Sequence, residues 1–102
     1  MSKLYTIVCH DKPGSKPLRM EKLAEHLAHI ETVIDRIKIA APLHDEDEAE
    51  FVGSMLVVTA NDIADARAFI EADPYFRAGV WREVVIDKLG FAAGEWVGGI
   101  TW

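Results

Sequence analysis

The chain has 102 residues, half of them hydrophobic and 27% charged, with a formal net charge of −6. That length suits one domain over residues 1–102 with a single core, and no stretch approaches the roughly 20 apolar residues of a membrane span. The acidic balance opposes nonspecific nucleic-acid binding, which depends on clustered Lys and Arg neutralising phosphates, so small molecules and protein partners remain.

Residues 4–9, a β-branched and aromatic run, predict a first strand. The N-terminal segment has no long apolar stretch of the kind a secretory signal needs, and a cytoplasmic setting is the default expectation. Cys9 is the lone cysteine, which rules out an internal disulfide; inside a strand it reads as a small buried hydrophobe. Pro13, Gly14 and Pro17 then break regular structure. Over residues 19–35, Leu23, Leu27, Ile30 and Ile34 recur at steps of four, three and four, which predicts a helix with one buried apolar face.

Residues 37–40 predict a short second strand ended by Pro42, and residues 44–50 an acidic, solvated connection without EF-hand spacing. Residues 51–59 predict the third strand. Asn61 is placed to cap a second helix whose buried face is Ile63, Ala66, Phe69 and Ile70. That helix must stop before Pro74. The residue before a proline is pushed out of the α region, so Asp73 is extended, and Pro74 opens a one-turn helix that Gly79 closes. Residues 82–87 supply the fourth strand.

The order βαββαβ is the ferredoxin-like α+β arrangement, an antiparallel sheet with two helices on one face. In the third strand both alternating sets are apolar, Phe51, Met55 and Val57 on one side and Val52, Leu56 and Val58 on the other. Helices cover one face only. A second copy of the chain is the economical cover for the other, giving a homodimeric α/β barrel. The tail, residues 90–102, carries Trp96 and Trp102 and is expected to pack on its own domain or on the dimer partner, with Gly98 and Gly99 suited to a tight turn.

At about 100° per residue, His26 lies roughly 50° from the centre of the apolar stripe, at the border of core and solvent. A border histidine is either a partly buried polar residue or an acid/base group. Asp73 is either a helix cap or the carboxylate that orients such a histidine, and one carboxylate serves both roles when it accepts a backbone N–H as well as an imidazole N–H. Arg19, at the start of its helix, is unfavourable to the helix dipole; it reads as an anion-binding group or as solvated surface. Tyr75 lines a pocket or packs as an ordinary aromatic, and Ser54 points a hydroxyl at a ligand or merely tolerates close packing. His26 and His29 stand three apart but have no identifiable third ligand, so no metal site is expected. Phosphate loops, dinucleotide fingerprints and nucleophile elbows are missing from the sequence.

Arg19, the segment Glu25-His26-Leu27-Ala28, Gly53-Ser54, and Ala72-Asp73-Pro74-Tyr75 followed by Ala78-Gly79-Val80 together resemble the YCII-related (YciI-like) family over roughly residues 3–89. The resemblance implies a ferredoxin-like dimeric α/β barrel with a His and Asp pair in a cleft, here His26 and Asp73. It also implies an arginine opening the same helix, at Arg19, and a small polar position on the third strand, at Ser54. Members with an assigned activity move protons or eliminate groups on small, often aromatic compounds without a cofactor. The expectation is therefore a cofactor-independent lyase or isomerase with His26 and Asp73 catalytic and Arg19, Ser54 and Tyr75 binding substrate. The alternative is a binding module that holds a metabolite without turning it over.

Overall fold

The computed structural model describes residues 3–102; Met1 and Ser2, which the single-domain expectation included, lie outside them. Alternation of apolar side chains builds the sheet from β1 (Lys3–Asp11), β2 (Ile37–His44), β3 (Phe51–Ala60) and β4 (Trp81–Lys88). They pair antiparallel in the order β2-β3-β1-β4. Between them come α1 (Lys16–Thr32), α2 (Ile63–Glu71) and the five-residue α3 (Pro74–Ala78). This is the ferredoxin-like α+β fold expected from the order of elements.

The core lies between sheet and helices. Tyr5, Ile7 and Cys9 of β1 and Leu56 and Val58 of β3 pack against Ala66, Phe69 and Ile70 of α2. Removing one such large side chain from water contributes about 1.5–3 kcal/mol. Gly53 belongs here because a Cβ at that position would collide with the carbonyl oxygen of Cys9 on the neighbouring strand.

Several sequence expectations change. α1 starts at Lys16 rather than Arg19, since Pro17 in the first turn needs no N–H partner. The stripe of Leu23, Leu27, Ile30 and Ile34 is not core: Leu27 and Ile34 are exposed, while Leu23 and Ile30 are half-buried. Leu18 and Val33, near the two ends of α1, reach the core, and its middle stands off from the sheet. A periodic apolar face shows that a helix has something apolar beside it, and here that something is a cleft.

β2 runs through Pro42 to His44 because it is an edge strand, where a missing N–H costs no ladder bond. Asp62, not Asn61, caps α2, its carboxylate accepting the Asp65 N–H at 2.8 Å, and Ile63 is exposed. Leu43 pairs with Gly53 but His44 with Phe51, so Val52 is an extra residue in a bulge. The bulge breaks strict alternation and turns Phe51 to the helix side, with Leu56 and Val58 rather than opposite them.

Beyond β4 the tail forms a hairpin of β5 (Ala93–Gly94) and β6 (Gly99–Ile100), joined through a 3-10 turn at Glu95–Val97. The arms are two residues long, and Gly98 takes the left-handed conformation at φ 85° that ends the turn. The hairpin stands over the helix-free face of the sheet, and Leu4, Ile39, Met55 and Val57 line an open space of about 1060 Å³ beneath it. Trp96 and Trp102 remain 82% and 79% exposed in the single chain. No helix among the described residues is long and apolar enough to cross a membrane.

Candidate active site

Because the middle of α1 stands off, a cleft of about 360 Å³ opens between that helix and the β2–β3 edge of the sheet. Its walls are mostly apolar: Met20, Leu23, Leu27 and Ile30 from α1 face Ala40, Pro42 and Leu56. Polar groups enter at few points, which is how small-molecule sites are usually built. The larger space under the tail hairpin has no histidine on its walls and Glu95 as its only carboxylate. The smaller cleft is the one bordered by His26, Arg19, Ser54 and Tyr75.

Asp73 has the extended backbone its proline neighbour dictates, with φ −69° and ψ 134°. Its Oδ1 accepts the backbone N–H of Tyr75 at 2.8 Å and so caps α3, while Gly79, at φ 80°, closes that helix. The same Oδ1 lies 2.9 Å from Nδ1 of His26. Since this oxygen already accepts an amide proton, the imidazole supplies the hydrogen, and Nδ1–H donates to Asp73. Nε2 has no hydrogen bond within the described residues, and in the neutral ring it is the nitrogen that keeps its lone pair. The His26 side chain is 18% exposed, against 3% for Asp73. The carboxylate oxygen that caps α3 is thus the one that meets the imidazole.

Arg19 stands seven residues before His26, two turns away on the same side of α1. It is not solvated surface, being 4% exposed. Its Nε donates to Asp11 Oδ2 at 2.6 Å, and Nη2 donates to Asp11 Oδ1 at 3.1 Å, to the Gly53 carbonyl at 2.8 Å and to Ser54 Oγ at 2.8 Å. Nη1 has no hydrogen bond within the described residues. The guanidinium lies between two rings, 4.9 Å from the centroid of Phe51 and 5.0 Å from that of Tyr75. Such stacking is favourable for a cation taken out of water.

Tyr75 stacks on His26, with ring centroids 3.9 Å apart and planes within 7°. Its hydroxyl donates to the Arg19 carbonyl at 3.2 Å, and burial is the main cause that raises its phenol above the ordinary value. Ser54 is buried and its Oγ accepts from Arg19, so its own hydroxyl hydrogen is free to turn toward the cleft it borders. Cys9 lies behind the site. Burial first, and then the Asp73 and Asp11 carboxylates, push its thiol up to about 12, which makes it a poor nucleophile.

The structure therefore gathers His26, Tyr75, Arg19 and Ser54 on the walls of one cleft, with Asp73 behind His26. His29, one helical turn on, does not line it. Among the described residues no group of three or more His, Cys, Asp or Glu is placed to hold a metal ion. Sequence reasoning did not single out Asp11, which reads as the start of a Pro and Gly turn although it stands eight residues before the arginine it binds. Trp81 also escaped: it borders the cleft, meets Tyr75 edge-on at 6.0 Å and has a buried Nε1 without a partner among the described residues.

The YCII-related domain profile matches residues 3–89. Protein YciI of Escherichia coli O6:H1 is 32% identical over 90 residues, which cover 81% of this chain and 92% of that protein. An uncharacterized protein of Haemophilus influenzae is 29% identical over 89 residues, with 80% and 91% covered. Among solved structures, the 5-chloro-2-hydroxyhydroquinone dehydrochlorinase TftG from Burkholderia phenoliruptrix AC1100, in complex with 2,5-dihydroxybenzoquinone, is similar with a TM-score of 0.76. That match has 27% sequence identity and covers 90% of this chain and 96% of the other. With the profile spanning most of its length and the fold agreeing, the chain belongs to the YCII-related domain family.

Proposed function

We propose that this protein is a cofactor-independent enzyme of the lyase or isomerase type that moves a proton on a small aromatic compound. One observation carries the reading: the 2.9 Å contact between His26 and Asp73 at the edge of an apolar cleft, with Nε2 of the imidazole unpartnered. In this reading Nε2 takes the proton, and Asp73 holds the ring in the tautomer that leaves Nε2 basic and stabilises the imidazolium that forms. Arg19 steadies the oxygen on which negative charge grows, through Nη1, while Asp11 holds the guanidinium in place. Ser54 adds a second donor there. The apolar walls favour a flat ring over a charged chain.

The likeness to a dehydrochlorinase of an aromatic substrate supports this class, since loss of hydrogen chloride requires a base to move a proton. The working unit in this proposal is a homodimer in the cytoplasm, two copies covering each other's helix-free sheet faces, where Leu4, Ile39, Met55 and Val57 lie without a helix above them. The test is turnover of a panel of chlorinated and hydroxylated hydroquinones, followed by quinone absorbance and chloride release. At least one member should be consumed. His26→Ala and Asp73→Asn should each lower kcat by about 100-fold or more with the fold intact, the scale of positioned acid/base catalysis. Binding without turnover, or turnover that survives His26→Ala, would overturn the enzymatic reading.

A further inference from the structure

A single hydrogen bond is a weak constraint on an imidazole. The torsion that sets the ring plane is broad, and a ring held only at Nδ1 can tilt about that contact or swing away from it. Catalysis is sensitive to such motion, because a misplacement on the order of 1 Å can cost about 100-fold in rate. Something else must fix the plane of His26 for the site to work as proposed.

We infer that Tyr75 is the positioning residue of the proton-transfer pair, its ring fixing the plane of His26 and its own amide fixing the carboxylate of Asp73. The inference rests on the proposed role of His26. Its geometric basis is that both contacts come from one residue: the ring lies 3.9 Å from the imidazole and within 7° of parallel, and the Tyr75 N–H reaches Asp73 Oδ1 at 2.8 Å. Tyr75 is therefore not chiefly a phenol offered to substrate. Its hydroxyl is directed to the Arg19 carbonyl at 3.2 Å, and its ring edge is met by Trp81 at 88°.

The arrangement explains the order of parts along α1 and α3. Arg19 and His26 lie on the same side of α1, and the Tyr75 ring meets both, at 5.0 Å from the guanidinium carbon and 3.9 Å from the imidazole centroid. Phe51, Arg19, Tyr75 and His26 thus follow one another as neighbours, the guanidinium over the rings of Phe51 and Tyr75 and the Tyr75 ring stacked on His26. With one face of His26 covered by Tyr75 and Nδ1 tied to Asp73, Nε2 is left to meet a ligand in the cleft.

The experiment uses the full chain labelled with 15N-histidine and compares wild type with Tyr75→Phe, Tyr75→Leu and Tyr75→Met. The Phe variant keeps the ring and deletes the hydroxyl; Leu and Met keep the backbone amide and fill the space without a π face. The imidazole 15N shifts report the tautomer directly and need no substrate. Wild type and Tyr75→Phe should show His26 as the Nδ1–H tautomer alone, and Tyr75→Leu should show a mixture with Nε2–H. Circular dichroism establishes that each variant is folded, and Tyr75→Met stands in if Tyr75→Leu is not. On any substrate that is turned over, Tyr75→Phe should retain kcat within about twofold. The ring-less variant should lose about 10- to 100-fold in kcat at nearly constant KM, as expected for lost orientation. A folded ring-less variant with the wild-type tautomer and kcat would overturn the inference. A tautomer that depends on Tyr75 in a protein that turns nothing over would instead leave the positioning intact and count against the enzymatic reading.

Discussion

On the helix side of the sheet the buried polar side chains Asp11, Ser15, Arg19, Ser54 and Asp73 all meet partners, with packed core behind them and an apolar cleft in front. On the other side Met55 and Val57 are half-buried under a tail whose indoles face solvent, and polar groups meet at the surface, where His10 Nδ1 lies 3.0 Å from Glu83 Oε1. The two faces place different demands on the chain. The helix side holds charges in fixed places beside a cleft, where each partner is costly to remove. Among the described residues the open side holds no buried charge, so single changes there should alter association more than folding.

The largest effect should come from Asp11→Ala. Arg19 and Asp11 have side chains only 5% and 4% exposed, and deleting the acid leaves a buried guanidinium without its counter-charge. Breaking such a pair from one side costs about 3–5 kcal/mol, a large share of what a domain of this size has in reserve. Urea unfolding would measure it. Replacing both members by apolar residues, as in Asp11→Leu with Arg19→Met, should cost clearly less, because no lone charge is left behind. Equal losses for the single and double variants would show that packing around the pair, rather than the charge, sets its value.

That pair also marks the limit of what the residues reveal on their own. Periodicity and punctuation disclosed the element order, the stop of α2 before Pro74 and the short α3 closed by Gly79, because these depend on neighbours in sequence. The border position of His26 and the extended backbone of Asp73 followed from the same local rules. The contact between them depends on α1 and α3 packing side by side; the family resemblance implied it, and no local rule does. Asp11 was hidden because an acid ahead of Pro13 and Gly14 looks like turn chemistry. The side that Phe51 takes was hidden because the bulge at Val52 is a matter of strand register, which alternation alone misassigns. Leu23, Leu27, Ile30 and Ile34 mark an apolar face, and nothing in their spacing distinguishes a core from a cleft wall.

Raising the pH should separate the two faces next. The Cys9 thiol on the helix side is pushed from an ordinary value of 9.0 up to about 12, first by burial and then by the Asp73 and Asp11 carboxylates. Below pH 9 the thiol is protonated whether the chain is folded or not, and its stabilising effect is fully present. Between 9 and 12 the unfolded chain releases the proton while the folded chain keeps it, so stability falls by about 1.4 kcal/mol per pH unit from this group alone. The raised phenol of Tyr75 adds to the loss in the same direction. Urea midpoints at pH 8 and 10.5 should diverge more for wild type than for Cys9→Ala. Equal slopes would assign the alkaline loss to other groups.

The smallest effect on folding should come from the tail. Trp96 and Trp102 are 82% and 79% exposed in the single chain, so Trp96→Ala or Trp102→Ala removes little packing and should change folding stability by no more than about 0.5 kcal/mol. The same substitutions should have a large effect on association if two copies pair through the open face. The exposed Trp96 indole, which borders the same space as half-buried Met55 and Val57, is the kind of aromatic anchor that carries binding energy when covered. Sedimentation velocity across a dilution series would then show the dissociation midpoint of Trp96→Ala moved up by at least about tenfold, the equivalent of 1.4 kcal/mol. A midpoint unmoved by either substitution would place the tail outside any interface, and would require the apolar sheet face to meet its cover without the indoles. Folding changed as much as association would mean that the hairpin supports its own domain, and the distinction drawn between the two faces would fail.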